Sequence, residues 1–465
     1  MAAGHHATAG AAATVLRRGG NAFDAAIAAG FAAAIAEPFF TSPAGGGFLT
    51  ARTAEGAATV FDFFVAAPCI DSAEPHDPAA LEAVAIRFDQ AVQVFHVGPA
   101  SVATPGCLAG YLHVHDRLGR LELAEVVAPA VELARRGVVV NAPVARVAVL
   151  LGEVLALTPT GRELYFRGDR PVEEGDVIRN EAMAAFLEEV ATMGRSFRAS
   201  DLGGQVTDRD LASYQVIERD PLEAPLGSAR VLTNPPPSFG GRLISHALDA
   251  LELAGAARRD GPARTLLMCE ALLAQAELRH QLGPGAVRGT THVSVADSEG
   301  NVASMTTSNG SGSGHFADGT GVQLNNMMGE EDLHPGGFGA PVPGERIGSM
   351  MAPSIVERAD GSIVAVGSGG SERIRSTLTQ VIAGLADPAS VPGQVVAAPR
   401  LHWDGLRFQT EPGLGDDVAE ALRARWELNV WATRDLFFGG AHTVCTPDIA
   451  VGDDRRGGVG ITVSR

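Results

Sequence analysis

The chain holds 465 residues, 46% hydrophobic and 19% charged, which is enough apolar content for a large buried core and too much for a disordered chain. Its formal charge of −18, from 54 acidic and 36 basic residues, argues against a nucleic-acid groove or an anionic membrane surface as partner. Every one of the 36 basic residues is arginine, so lysine chemistry is excluded: no Schiff base, no phosphate-loop lysine, no Ser–Lys dyad. Alanine-, glycine- and arginine-rich usage points to a GC-rich bacterial genome. Cys69, Cys107, Cys269 and Cys445 are scattered without metal-site spacing and read as buried thiols of a reducing compartment, with two disulfides as the open alternative. The opening MAAGHHATAG lacks the pattern of a signal peptide, and His5 and His6 within it are expected to be solvated. The longest apolar run, residues 25–36, is too short to span a bilayer. A cytoplasmic protein is therefore expected.

Small apolar residues over 6–18 and 22–36 predict two helices, separated by Gly19-Gly20 and restarted by Asn21 as a cap. Gly45-Gly46-Gly47 leads into strands at 48–53 and 58–64. Helical periodicity dominates 106–189, with loops at Gly119, Gly137 and 168–175. The stiff run Asn234-Pro235-Pro236-Pro237-Ser238 is a boundary that cannot lie in a central strand, and helices follow at 242–253 and 263–281. At Gly283-Pro284-Gly285 the pattern turns to strand alternation: TTHVSVAD, the turn SEGN and VASMTT form a hairpin. Pairing Asp297 with Val302 sets Thr290 opposite Asn309 and Thr291 opposite Ser308. Later strands are predicted at 354–358, 362–367, 443–451 and 459–464, with a helix over 373–385.

The hairpin entry carries the chemistry. Gly285-Ala286-Val287-Arg288-Gly289 is a breaker-rich approach to Thr290, which opens a strand with a hydroxyl beside it and that of Ser308 across the ladder. Cleavage before Thr290 would free an α-amine with an ordinary pKa of roughly 7.7–8.0, suited to serve as general base for its own hydroxyl. On local pattern alone, a Thr-Thr start to a hairpin is far more often β propensity than catalysis.

The runs RRGGNAFDAAIAAGFAAAIAEP, AGGGF, SVATPGCLAG, GRLELAEVVAPAVELARRG, GGQVTDRDLASY, NPPPSFGG, TTHVSVADSEGN, GVQLNN, SMMAPSIV and GSGGSERI together resemble the gamma-glutamyltranspeptidase family in its usual order. The resemblance implies an α+β fold, the four-layer αββα sandwich of N-terminal-nucleophile hydrolases. It implies a precursor cut between Gly289 and Thr290 into a large chain, 1–289, and a small chain, 290–465, forming together one structural domain. Thr290 would be the nucleophile and Ser308 its hydroxyl partner. Gly370 and Ser371 would supply the oxyanion-hole N–H groups, although a positive φ would disfavour serine at 371.

The departures concern substrate. Where the family clamps the γ-glutamyl carboxylate with an arginine, DFFVAAP places Phe64, which cannot bind a carboxylate. The paired serines become Ser349 and Met350. Met327 stands for the family's glutamine, while Glu330 stands for the acid that receives the substrate ammonium. Gly310 occupies the asparagine position, with Asn309 displaced by one. The segment from Gly241 to Gly289 is shorter than the resemblance implies, so altered access or processing is expected. His113 and His115 are not spaced as a metal pair, His292 is expected to pack structurally, and no GxSxG elbow occurs.

The expectation is a self-processing hydrolase or transferase acting on a non-standard small molecule, without metal or organic cofactor. Resemblance to divergent members in bacterial natural-product pathways implies amide or C–C bond hydrolysis, as in alkylproline assembly. Two alternatives stay open: a true γ-glutamyl enzyme whose clamp is relocated to Arg373 or Arg346, and an unprocessed, silent binding homologue. Whether two-chain units assemble into a homo-oligomer is also open.

Overall fold

The computed structural model describes residues 1–71, 77–88, 91–281, 289–334 and 336–464. The expected breaker segment from Gly283 to Arg288 lies outside them. Two antiparallel sheets form the centre. The first has seven strands in the order Ile217–Arg219, Ala58–Phe63, Gly46–Arg52, Val302–Ser308, Thr290–Ala296, Ala2–Ala3 and Val459–Gly460. The second has six, in the order Leu222–Leu226, Ala229–Thr233, Ser354–Glu357, Ile363–Gly369, Gly440–Cys445 and Ile449–Val451.

Helices cover both outer faces. Val293, Val295, Ala303 and Met305 of the first sheet pack against the helices His6–Arg17, Ala22–Ala36 and Cys107–Leu118. Val231, Val356, Val364 and Val366 of the second pack against Phe239–Leu253 and Arg373–Leu385. The result is the expected αββα sandwich. The helix Ala22–Ala36 is buried on every side, which its narrow alanine side chains permit, and Asn21 and Asp24 close a capping box at its start, a feature typically worth about 1 kcal/mol.

The space between the sheets is polar at one end. Thr290, His292 and Ser294 of one strand and Ser304, Thr306 and Ser308 of its neighbour point toward the second sheet and are fully buried. Their hydroxyls bond across the gap: Ser294 Oγ donates to the His442 carbonyl at 3.0 Å and Ser304 Oγ to that of Val366 at 3.1 Å. At the other end Leu232, Val302, Ile355, Ile363 and Ala365 form an apolar plug.

Three expectations are corrected. The run 443–451 is two strands, Gly440–Cys445 and Ile449–Val451, because Pro447 cannot donate to a ladder. The last strand is only Val459–Gly460. His5 is buried rather than solvated, its Nδ1 accepting the Ala7 N–H as the cap of the first helix, while His6 is exposed.

Candidate active site

The hairpin sets the register of the site. Asp297 N–H bonds the Asn301 carbonyl, and the Asp297 carboxylate accepts the N–H groups of Glu299 and Asn301, closing a three-residue loop with Gly300 at φ +99°. Thr290 therefore faces Ser308, and Thr291 faces Thr307. The four-residue turn expected from the sequence put each pairing one residue off. A one-residue change in loop length shifts the whole partner strand, and alternation alone does not register it.

Thr290 is buried, and its Oγ1 has no hydrogen-bond partner among the described residues. That is costly for a hydroxyl, and such orphans call for an explanation. The preceding carbonyl, of Gly289, accepts from Ser308 Oγ, which in turn accepts the Gly310 N–H at 3.1 Å. Only glycine fits at 289: a Cβ would lie 2.0 Å from the Gly310 carbonyl oxygen and 2.6 Å from that of Phe39. The Thr290 carbonyl accepts from Arg456 Nη1 at 3.2 Å.

The second sheet closes on this corner through glycines. A Cβ at Gly369 would sit 2.1 Å from the Thr290 carbonyl oxygen, and one at Gly367 would sit 2.3 Å from His292 Nδ1. The chain then passes Gly370 (φ +129°) and Ser371 (φ +59°) before the helix Arg373–Leu385. Ser371 thus takes the positive φ that disfavours serine, a strain of about 1 kcal/mol. Among the described residues no acceptor is bonded to either N–H. Ser371, Gly289, Ser311, Arg373 and Arg456 line one cavity of about 200 Å³, whose remaining wall is mainly apolar, including Phe40, Val147 and Leu151.

The residues expected to bind substrate divide into two groups. Glu330 lies next to the cavity, its Oε1 accepting the N–H and the hydroxyl of Ser311, both at 3.0 Å. Asn309 is buried beside it, Oδ1 without a partner among the described residues and Nδ2 3.4 Å from the Leu324 carbonyl. Gly310 has φ +63°, and a Cβ there would meet Asn326 Oδ1 at 2.1 Å. Phe64, Met327 and Met350 instead belong to the apolar cluster under the second sheet, all fully buried. Phe64 stacks on Phe48 with centroids 5.5 Å apart. Ser349 Oγ accepts the Met351 N–H at 3.1 Å. Of the two relocated-clamp candidates, Arg346 is bonded to Asp62 and the Gln215 carbonyl, whereas Arg373 lines the cavity.

Sequence reasoning missed Arg456 and Glu37. Arg456 comes from a C-terminal turn with no local pattern to announce it. Burial, then the neighbouring Arg373, lowers its pKa to about 10, so it is charged near neutrality. Glu37 accepts from Thr291 Oγ1 at 2.6 Å and Thr8 Oγ1 at 2.7 Å, and its complete burial pushes its pKa up. His292 lies between Thr306 and Ser294 hydroxyls, and burial pushes its pKa well down, which fits the expected structural role. His113 bonds Glu218, His115 bonds the Leu121 carbonyl, and all four cysteines are buried free thiols. Among the described residues no cluster of His, Cys, Asp and Glu is gathered as a metal site requires, and no helix is long and apolar enough to cross a membrane.

The gamma-glutamyltranspeptidase profile matches residues 8–284 and 280–463. The Acylase ACY 1 proenzyme of a Pseudomonas species is 31% identical over 477 residues, covering 90% of this chain and 85% of the relative. The glutathione hydrolase proenzyme of Escherichia coli is 28% identical, covering 88% and 82%. In three dimensions, the cephalosporin acylase of Bacillus halodurans superposes with a TM-score of 0.81 at 23% identity, covering 100% of this chain and 95% of that one, which is a likeness of fold. With matches spanning nearly its whole length, the chain belongs to the gamma-glutamyltranspeptidase family and is an enzyme of the N-terminal-nucleophile hydrolase and transferase class.

Proposed function

We propose that the protein is a self-cleaving acylase in which Thr290 is first the agent of its own release and then the catalytic nucleophile. The carrying observation is the buried, unpartnered Thr290 Oγ1 beside a Gly289 carbonyl already held by Ser308 Oγ. In the cut, Thr290 Oγ adds to the Gly289 carbonyl carbon, the C–N bond breaks, and the nitrogen keeps the hydroxyl proton as the new amine. Water then hydrolyses the Gly289–Thr290 ester, leaving chains 1–289 and 290–465 within one structural domain. The Ser308 hydrogen bond stabilises negative charge on the Gly289 oxygen during this step.

In turnover, the Thr290 amine accepts the Oγ proton as the oxygen attacks an acyl carbonyl. The Gly370 and Ser371 N–H groups take the oxyanion, and the amine returns the proton to the leaving group. Water, or an acceptor amine, resolves the acyl ester. The substrate reading is an amide with an acyl group other than γ-glutamyl. It is supported by the burial of Phe64, Met327 and Met350 in a filled apolar cluster and by the acylase named among the relatives. A natural-product substrate is the extension of that reading.

Intact mass spectrometry of purified protein tests the cut: two chains, the smaller beginning at Thr290, are expected, and a single uncut chain would overturn it. Hydrolysis of hexanoyl p-nitroanilide in preference to the γ-glutamyl anilide tests the substrate reading. The relocated-clamp alternative is favoured by Arg373 on the cavity wall. It requires efficient γ-glutamyl release that Arg373→Gln abolishes.

A further inference from the structure

Arg455 and Arg456 are consecutive and buried, yet they have different surroundings. Arg455 is ion-paired with Glu411 and Asp453. Arg456 forms no ion pair among the described residues: Nη1 bonds the Thr290 carbonyl, the guanidinium lies 5.5 Å over the Phe40 ring, and its buried Nε has no partner. Asp453 and Glu37 attract Arg456 without contacting it as ion pairs, so among the described residues its one contact with a neighbouring chain segment's polar group is the bond to the residue with the expected free amine.

We propose that the Arg456 guanidinium keeps the α-amine of cleaved Thr290 uncharged at neutral pH, making Arg456 the residue that tunes the base. This rests on Thr290 being the nucleophile. A cation bonded to the carbonyl of the same residue stands within a few ångströms of the amine, and in a buried corner like charges disfavour protonation strongly. The neutral amine has the lone pair that takes the Oγ proton; the ammonium does not.

The groups facing this corner leave that effect standing. Arg373, on the turn from the second sheet, adds positive charge, and its neighbour Glu372 is paired with Arg279 and Arg375. Asp453 is held by Arg400 and Arg455. Glu330 accepts from Ser311. Glu37, under the nucleophile strand, is the one carboxylate here that acts on Arg456 without an ion pair of its own among the described residues: burial pushes its pKa up, while its Thr291 and Thr8 hydrogen bonds and the attraction of Arg456 pull it down. His292, on the strand itself, and His442, on the second sheet, are both pushed toward the neutral form by burial.

The absence of lysine makes a direct measurement available, since the only amine in a chain of residues 290–465 is that of Thr290. Competitive acetylation with acetic anhydride across pH, read by mass on the peptide beginning at Thr290, gives its titration midpoint in the cleaved enzyme. Wild type is expected to titrate roughly one unit or more below the ordinary 7.7–8.0. Arg456→Gln should return the midpoint toward that range, and Arg456→Lys should keep it low. The acid limb of kcat/KM against pH should move in step. A wild-type midpoint in the ordinary range, or one unmoved by Arg456→Gln, overturns the proposal while leaving the nucleophile in place. If Arg456→Gln and Arg456→Met stay uncut while Arg456→Lys is cut, the charge serves the cleavage itself and the tuning assignment falls. A wild-type chain that never cuts overturns the nucleophile reading instead.

Discussion

Two neighbouring regions of this molecule have been treated oppositely. At the Thr290 corner, polar groups are left incomplete among the described residues: an orphan hydroxyl, two unbonded N–H groups, a serine at positive φ and a guanidinium without an ion pair. Where the family resemblance puts the carboxylate clamp, Phe64, Met327 and Met350 are packed as completely as any core. Incomplete bonding is what a reacting group needs, and filled packing is what a core needs. On the proposed reading, bond-breaking and recognition are separable, and the contrast can be tested at each region on its own.

The strongest way to break the contrast is Thr290→Ala. It should abolish cleavage entirely, giving one uncut chain by intact mass with thermal stability retained, since the hydroxyl has no partner to lose. Phe64→Arg should cost about 4 kcal/mol in denaturant unfolding, because an unpaired charge enters a filled cluster, and should bring no γ-glutamyl anilide hydrolysis. A gain of that activity would mean the clamp site is latent rather than lost.

Acid probes the same corner. Burial, partly offset by Asp453, lowers the pKa of His442 to about 4, against 6.5 in the unfolded chain. The unfolded chain therefore takes up the proton first. Stability from this group is complete above pH 6.5 and declines as pH falls to 4, a loss on the order of 3 kcal/mol measurable by unfolding at each pH. A flat profile over that window would mean that water reaches the gap between the sheets. Ser308→Ala should slow cleavage by about 10²-fold, followed as the appearance of the small chain over time. Smallest, Ser371→Gly should stabilise by about 1 kcal/mol with turnover kept, because only backbone N–H groups are needed there.

Much of the fold was legible. The helix Ala22–Ala36 with its Asn21 cap and the helix Arg373–Leu385 match their expected bounds, since capping residues and breakers are local signals. The hairpin was legible, but not its register, which depended on the Asp297 side chain selecting a three-residue loop. Thr290, Ser308, Gly370 and Ser371 are candidates because a family pattern marks them, and the structure places Thr290 opposite Ser308. Arg456 and the apolar wall at Phe40, Val147 and Leu151 were not, because their nearness to Gly289 is created by tertiary packing of segments far apart in sequence. Phe64 has no group to bind a carboxylate, which the sequence shows, but its place in a closed core required the structure.

The seven-stranded sheet alternates its origins. Three strands precede Gly289, then Val302–Ser308 and Thr290–Ala296 follow it, then Ala2–Ala3 precedes, and Val459–Gly460 follows. Cutting after Gly289 would leave two polypeptides woven through one hydrogen-bonded ladder, with no seam along which to part. Assembly would then have a direction in time: the intact chain must find the fold, and the severed pieces, once unfolded, would have lost the covalent link that brought their strands together. The mature protein would owe its persistence to slow unfolding rather than to any ability to refold.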